Sequence, residues 1–163
     1  MPGEHARRRP RDLAGYLEAI SRAVFSAGIS WRVVEAKWSG IREVLANFDP
    51  ETLAELDAKD IDALMADQRV IRNRGKLEGT VDNAQTILEL DSEFGGFRRY
   101  LHSHGSYDAT VADLKRQFRF LGDSGAYFFL WSVGEPVPDH EEWEAARSAR
   151  SKRRSKTRAS SRR

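Results

Sequence analysis

The chain has 163 residues, of which 40% are hydrophobic, and this is enough for one domain with a buried core. It has no cysteine, which excludes disulfides and thiolate metal sites and fits a reducing compartment. No apolar run approaches the roughly 18 residues of a membrane span, and the N-terminal residues lack the apolar core of a signal peptide. We therefore expect a cytoplasmic protein that makes no membrane contact.

The net charge of +2 hides a strong asymmetry along the chain. Residues 147–163 hold nine Lys/Arg and no acid, and the segment before Asp12 holds four arginines and one glutamate. The body at 12–146 is left with 14 basic and 24 acidic residues. This composition predicts disordered basic ends, 1–11 and 147–163, around one folded domain. Such ends dock on nucleic-acid phosphates, act as solubilising tails, or fold back on the acidic body.

The N-terminal half of the chain has apolar residues at helical spacing, separated by residues that begin and end helices. Asp12 can cap a first amphipathic helix, for which Gly28 is a natural stop. Ser30 can cap a second helix, which continues through residues 39–48. Asp49 and Pro50 supply a cap and a first-turn proline for a short third helix.

The C-terminal half continues in the same way. Asp60 starts a short helix, and a longer one with Leu77 on its apolar face ends at residues 95–96. The segment 97–101 adds one or two turns, and Thr110 can cap the next helix. The last core helix is expected from about residue 124 to residue 133. Because no alternating segment of convincing length appears, the pattern predicts an all-α fold.

Two of these helices flank a tight glycine turn, in the stretch TVADLKRQF-RFLG-DSGAYFFLWSV, which is a helix-hairpin-helix pattern. The unpaired N–H groups of such a turn and the positive end of the following helix can hold a phosphate. A plain corner between packed helices has the same spacing. The turn residues predicted to contact a DNA phosphate are Phe120, Leu121, Gly122 and Ser124. Asp123 caps the last helix and would repel that phosphate.

Five further stretches occur in a fixed order along the chain. They are SAGISWRVVEAKW from residue 26, FDPETLAEL from 48, VIRNRGKLEGTVDNA from 70, FRFLG from 118, and the Asp139–His140 pair. Together they resemble the DNA-3-methyladenine glycosylase I family, a branch of the helix-hairpin-helix glycosylases. The resemblance covers residues 23–140. It implies a helix-hairpin-helix glycosylase-like helical domain with a cleft, into which a damaged base is turned out of the duplex.

The resemblance also implies candidates for the base pocket. Trp31 matches the family's aromatic wall, and Phe25, Trp38 and Tyr16 are added because they flank the same helices. Aromatic residues at helical spacing are more often core residues.

The family's base-recognising glutamate falls at Ala23, which cannot accept a hydrogen bond from the base through its side chain. Glu18 and Glu35 are the nearby alternatives, although glutamates at such positions are more often exposed surface acids.

Three departures from the family pattern bear on the chemistry. The N-terminal motif that helps to build the pocket and a zinc site has no counterpart, and of the zinc ligands only His140 has one. His5 and Glu144 do not complete a tetrahedral site, so we predict no metal and no cofactor. Ser124 stands where strand-cleaving relatives have a lysine, which argues against lyase chemistry. Pro138 stands where many relatives have an aspartate that stabilises the oxocarbenium-like sugar. Asp139, one residue out of register, is the displaced candidate for that electrostatic role, so the catalytic candidates are Glu18, Glu35 and Asp139.

Basic residues near the hairpin and near the segment at 70 are the candidates for further DNA contacts. They are Lys115, Arg116, Arg119, Arg69, Arg72, Arg74 and Lys76.

The resemblance implies a monomeric, monofunctional N-glycosylase that excises alkylated purine bases from double-stranded DNA by base flipping. Two alternatives stay open at this point. One is a catalytically impaired or inactive DNA-binding protein that keeps the glycosylase fold, and the other is a protein-interaction domain that has left DNA.

Overall fold

The computed structural model describes residues 7–161, and within this range the chain is helical and contains no strand. The elements in chain order are α1 Leu13–Ser26, α2 Trp31–Val44, a 3-10 turn Ala46–Phe48, α3 Pro50–Ala54, α4 Ala58–Ala66, α5 Arg74–Phe94, α6 Phe97–Leu101, α7 Tyr107–Gln117, α8 Asp123–Ser132 and α9 His140–Ser161. The all-α prediction is confirmed. Among these helices, none is at once long enough and apolar enough to cross a bilayer.

Three of the predicted helix boundaries are held by the expected chemistry. The Asp12 carboxylate accepts the Gly15 amide at 2.9 Å and caps α1. Asp49 caps α3 in the same way, with Pro50 in its first turn. Gly95 ends α5 in the left-handed region at φ 69°, where glycine has no Cβ penalty.

Two helices begin one turn earlier than predicted. α4 is capped by Asp57, whose carboxylate accepts the Asp60 amide at 3.0 Å, and the Asp60 carboxylate in turn accepts the Asp57 amide at 2.9 Å. α7 is capped by Ser106, and the Thr110 hydroxyl donates to the Ser106 carbonyl at 2.8 Å instead of capping. In both places the sequence offers two capping residues in succession, and the earlier one is used.

The basic ends of the chain differ from the disordered segments that composition predicts. Residues 147–161 continue α9 as a helix with exposed side chains. Ala, Arg and Lys are strong helix formers, and the first turn of α9 is fixed by the buried Trp143. At the other end, the Arg8 amide donates to the Ser132 carbonyl at 3.0 Å, at the end of α8. The rest of the predicted disordered segments, residues 1–6 and 162–163, lies outside the described residues.

α5 is the central helix of the domain and contacts α1, α3, α4 and α6. α1 lies between α5 and α8, so the second helix of the hairpin packs directly on the first helix of the chain. α1, α5 and α8 all contribute fully buried side chains to one hydrophobic core, among them Leu17, Ile20, Ile87 and Phe129.

Contacts from α5 fix the turn between α7 and α8. The Asn83 carboxamide accepts the Arg119 amide at 2.8 Å and donates to the Arg119 carbonyl at 3.2 Å. The next residue, Phe120, has φ 62°, and its ring lies so close to Gly79 that a Cβ there would be 2.8 Å away. A left-handed phenylalanine is strained, and here it is held by a contact that only glycine allows.

Candidate functional site

A cleft of about 530 Å³ opens beside the hairpin turn, with walls from α1, α2, α8 and α9. Its aromatic wall consists of Trp31, Phe120, Tyr127, Phe128 and Trp143. Its other lining residues are Arg22, Ala23, Ser26, Ala27, Glu35, Gly122, Asp123, Ser124, Gly125, His140, Glu144 and Arg147. A larger groove of about 780 Å³ lies between α9 and residues 136–138, but it contains no residue of the hairpin turn.

The first turns of α2 present an aromatic ring and a carboxylate to this cleft. Trp31 is 42% exposed, and Glu35 follows it by four residues and therefore lies on the same face of the helix. The Glu35 carboxylate accepts a hydrogen bond from the Arg22 guanidinium at 2.5 Å. A guanidinium at this distance fixes the orientation of the carboxylate. Ala23, at the position of the family glutamate, lies beside Gly125, where a Cβ would be 3.8 Å from that of Ala23.

The three aromatic residues added to the pocket from their position along the helices are core residues, and that prediction is wrong. Tyr16, Phe25 and Trp38 are 6%, 1% and 4% exposed and do not line the cleft. Trp38 stacks on Phe48 with ring centroids 5.4 Å apart. The period of α2 does not separate the two tryptophans, because Trp31 lies seven residues before Trp38 and so on nearly the same face of the helix. Trp31 differs in being the first residue of α2, where the stripe of buried residues runs out into the cleft.

Two of the alternative acids also lie away from the cleft lining. Glu18 accepts the Trp38 indole N–H at 3.0 Å and pairs with Arg42 at 3.2 Å, which makes it part of the packing between α1 and α2. Asp139 is exposed, and its backbone carbonyl accepts the Trp143 amide at the start of α9. Of the three candidate catalytic acids, Glu18, Glu35 and Asp139, only Glu35 lines the cleft.

The start of α8 has unused hydrogen-bond donors. Gly122 is the capping residue but offers no side chain, and within the described part of the chain no acceptor bonds the amides of residues 121–125. Gly122 is exposed, and a Cβ added there would meet nothing within 4 Å, whereas the Leu121 side chain is buried. Such a helix start can bind an anion.

Asp123, the acid at this helix start, is neutralised by a neighbour. Lys115 donates to its carboxylate at 2.8 Å. This hydrogen bond holds the pKa of Asp123 below its ordinary value, and the charges of Lys115, Arg150 and Arg147 act in the same direction against the effect of partial burial. The predicted repulsion of a phosphate is therefore reduced by a cation that the hairpin itself supplies.

Most of the basic residues predicted to contact DNA are already engaged by acids. Lys76 of α5 is buried, and its ammonium donates to the carbonyl of Ala27, the residue that follows the last turn of α1, at 2.7 Å. Its prediction as a DNA contact is therefore wrong. The paired arginines are Arg69 with Asp67, Arg74 with Asp62 and Glu78, Arg116 with Asp113, and Arg119 with Asp82. Arg72 is exposed.

α9 contributes lining residues that sequence reasoning does not single out for the cleft. Trp143 stacks on Tyr127 with centroids 4.5 Å apart, and Arg147 lies over the Trp143 ring at 5.4 Å. His140, Trp143 and Arg147 have the spacing of residues on one face of a helix. This spacing is the sequence signal that places all three on the same side of α9.

Side chains that can bind a metal ion do not cluster in the part of the chain that the structure describes. There, no three of His, Cys, Asp or Glu come close enough to hold an ion. His140 and Glu144 both line the cleft, while His5 lies outside the described residues. The absence of zinc stays a prediction.

An all-helical domain with a glycine hairpin opening on an aromatic cleft defines the class of helix-hairpin-helix DNA glycosylases. The family model for methyladenine glycosylase matches residues 8–115 of this chain. The chain therefore belongs to the methyladenine glycosylase family.

Individual relatives agree with this membership. The DNA-3-methyladenine glycosylase of Haemophilus influenzae is 33% identical over 135 residues, which cover 70% of this chain and 72% of that protein. DNA-3-methyladenine glycosylase 1 of Escherichia coli K12 is 27% identical over a stretch of the same length. The structure of 3-methyladenine DNA glycosylase I from Staphylococcus aureus superposes with a TM-score of 0.71 at 26% identity, covering 83% of this chain and 89% of that one.

Proposed function

We propose that the protein is a monofunctional DNA N-glycosylase that excises alkylated purines, 3-methyladenine among them, from duplex DNA. The observation that carries this proposal is the cleft beside the hairpin turn. It is lined both by the exposed Trp31 ring and by the residues at the start of α8 whose amides are unbonded. The amides would hold a phosphate next to the lesion. The extruded base would then stack on Trp31, which offsets the stacking lost in the duplex.

The leaving group supplies much of the chemistry in this proposal. A 3-alkylated adenine is cationic while it is bonded to the sugar, so the glycosidic bond breaks with little acid catalysis. The protein needs to extrude the base, orient it and exclude other bases. Glu35 is proposed to attract the cationic base, in place of the carboxylate missing at Ala23, because it lines the cleft one turn after Trp31.

The same proposal excludes strand cleavage. Ser124 lines the cleft at the position where a lyase would need an amine. A hydroxyl cannot form a Schiff base with the sugar, so the product is an intact strand with an abasic site.

Binding without excision is the second candidate function, and one observation favours it. Ala23 is 5% exposed and lies beside Gly125, so the family's carboxylate is replaced by a small buried side chain. A protein of this kind would hold a damaged site and leave its glycosidic bond intact.

The test places the purified full chain in excess over methylated duplex DNA in a single-turnover reaction, and chromatography measures the bases released. We expect 3-methyladenine in the released fraction and strands that break only after treatment with alkali. If the DNA keeps all of its bases while it stays bound, the second candidate is correct. Light scattering after size-exclusion chromatography checks the predicted monomer.

The role of Glu35 has a matched test on the same helix. Glu35→Gln should lower the single-turnover rate by about 10- to 100-fold, because an amide no longer attracts the cationic base. Glu43→Gln removes an exposed acid near the other end of α2 and should leave the rate unchanged. Equal rates for both variants would remove Glu35 from the proposal.

A further inference from the structure

The C-terminal part of α9 holds the largest group of cations in the described structure that forms no salt bridge. Residues 147–161 contain seven Lys/Arg and no acid. Within the described part of the chain, no salt bridge uses any of these seven side chains, whereas Arg69, Arg74, Arg116 and Arg119 are all paired. A phosphate would reach these α9 side chains without having to break a salt bridge.

The start of α9 is fixed against the hairpin. Trp143 is buried and stacks on Tyr127 of α8 at 4.5 Å. One turn further on, Arg147 lines the cleft, and Arg150 lines a small groove with Lys115 and Asp123. The first two arginines of the helix therefore lie on the side of α9 that faces the hairpin.

The helical period carries this face outward from the cleft. Positions 143, 147, 150, 154 and 158 fall on one side of α9, so Arg154 and Arg158 continue the row that Arg147 begins. From residue 147 to residue 158 the helix rises about 16 Å. This length matches roughly five base pairs of duplex along its axis. Lys152 and Lys156 fall on the opposite side.

We propose that Arg147, Arg150, Arg154 and Arg158 form a second contact with the DNA backbone, which extends the surface that begins at the hairpin turn. It depends on the proposed function only in taking duplex DNA as the partner. Like charges four residues apart, such as Arg150 and Arg154, destabilise a helix in isolation. Phosphates laid along the row remove that repulsion and release counterions, so binding should be strong at low salt and independent of the lesion.

The test compares two variants of the full chain that lose the same number of charges from opposite sides of α9. They are R150Q/R154Q on the proposed face and K152Q/K156Q on the other face. Fluorescence anisotropy measures binding to an undamaged duplex over a range of salt concentrations. Circular dichroism confirms that both variants keep the helix content of the wild type.

The expected result is a difference between the two variants. R150Q/R154Q should bind about tenfold or more weakly near 0.1 M salt, with a log–log salt slope reduced by about 1.8, since each phosphate contact contributes about 0.9. K152Q/K156Q should stay within about threefold of the wild type. Equal losses in both variants would overturn the proposal in favour of a charged tail without a preferred face, and unchanged binding in both would show that DNA does not touch α9.

Excision separates this inference from the proposed function. If the wild type binds undamaged DNA through the α9 face but releases no base from methylated DNA, the proposed glycosylase function fails and the contact surface stands. If it releases 3-methyladenine while the two variants bind alike, the surface fails and the enzyme stands.

Discussion

At the scale of single residues, the hairpin turn combines an exposed glycine with a neutralised acid. Gly122 has φ −97° and ψ −168°, which any residue can adopt, and open space where its Cβ would be. Glycine is therefore not required there by the backbone. Its absent side chain leaves the amides at the start of α8 open to an anion.

A methyl group at this glycine should interfere with binding more than with folding. Gly122→Ala should change the free energy of unfolding by no more than about 1 kcal/mol, because alanine is only a somewhat poorer cap. We expect a clear loss of affinity for DNA, measured by anisotropy. Ser106→Ala is the control: it removes the cap of α7 and about 1 kcal/mol of stability, yet it should bind DNA normally. Normal binding by Gly122→Ala would mean that no phosphate lies over this turn.

The Lys115–Asp123 pair gives a prediction with a defined pH dependence. Because the folded-state pKa of Asp123 lies below its ordinary value of 3.8, the pair stabilises the fold above that value and loses its contribution as the pH falls through the lowered pKa. Both side chains are more than 40% exposed, so the contribution is only a few tenths of a kcal/mol.

Removing the lysine tests the role of the pair in binding. Lys115→Met should return the Asp123 pKa toward its ordinary value, which NMR titration measures, and should weaken DNA binding because an unpaired acid then faces the phosphate. Adding Asp123→Asn should restore most of the lost affinity. If the double variant binds as weakly as Lys115→Met, the lysine itself contacts DNA and the repulsion argument is wrong.

The candidate site shows how far residue-level reasoning from the sequence can go. Trp31 and Glu35 line the cleft, as the sequence suggested, and their roles are still proposals. The pairing of Arg74 with Asp62 and of Arg119 with Asp82 joins residues 12 and 37 positions apart. No local pattern predicts such pairs, because only the folded chain brings these separate segments together.

At the scale of elements, a buried acid holds the first helix of the hairpin to α6. Asp113 is 8% exposed and accepts the Tyr100 hydroxyl at 2.6 Å, and it also contacts His104 and Arg116. Burial favours a raised Asp113 pKa, but the hydrogen bonds from these three partners outweigh it and hold the pKa below its ordinary value. Burial and the bond to Asp113 raise the pKa of Tyr100.

Loss of this carboxylate should loosen the hairpin. Asp113→Ala leaves the buried Tyr100 hydroxyl without its acceptor and should cost about 1–3 kcal/mol in the free energy of unfolding at neutral pH. Since the Asp113 pKa is lowered by folding, the difference from the wild type should shrink as the pH falls through the lowered value. Urea unfolding over a pH series measures both effects. Asp108→Ala, an exposed acid in the first turn of α7, should cost less than 1 kcal/mol, and an equal cost would contradict the network.

Most elements could be predicted from the sequence because their caps and periods are local. Asp12, Asp49 and Gly95 act as their types suggest. The starts of α4 and α7 were misplaced because two capping residues follow each other within one turn, and the sequence does not say which of them the packing uses. At 147–161 composition predicts disorder and the structure has a helix, because charge content and helix propensity point in opposite directions there and Ala, Arg and Lys are strong helix formers.

At the scale of the whole molecule, the acidic helical body and the basic C-terminal part of α9 differ in charge. The helical body is acidic and pairs many of its own cations internally, while α9, within the described residues, holds a row of cations that begins at the cleft and forms no salt bridge. This division of charge suits a protein whose body extrudes and holds a base while α9 holds the backbone around it. For the body to do this, the cleft beside Trp31 has to accept an alkylated purine.

Isothermal titration calorimetry with free 3-methyladenine tests that claim most directly. The wild type should bind one molecule per chain, and Trp31→Ala should abolish the binding because the stacking wall is lost. Trp131→Ala, a half-buried tryptophan of α8 that does not line the cleft, should bind as the wild type does. An absence of saturable binding by the wild type, or equal binding by the Trp31 and Trp131 variants, would contradict the claim.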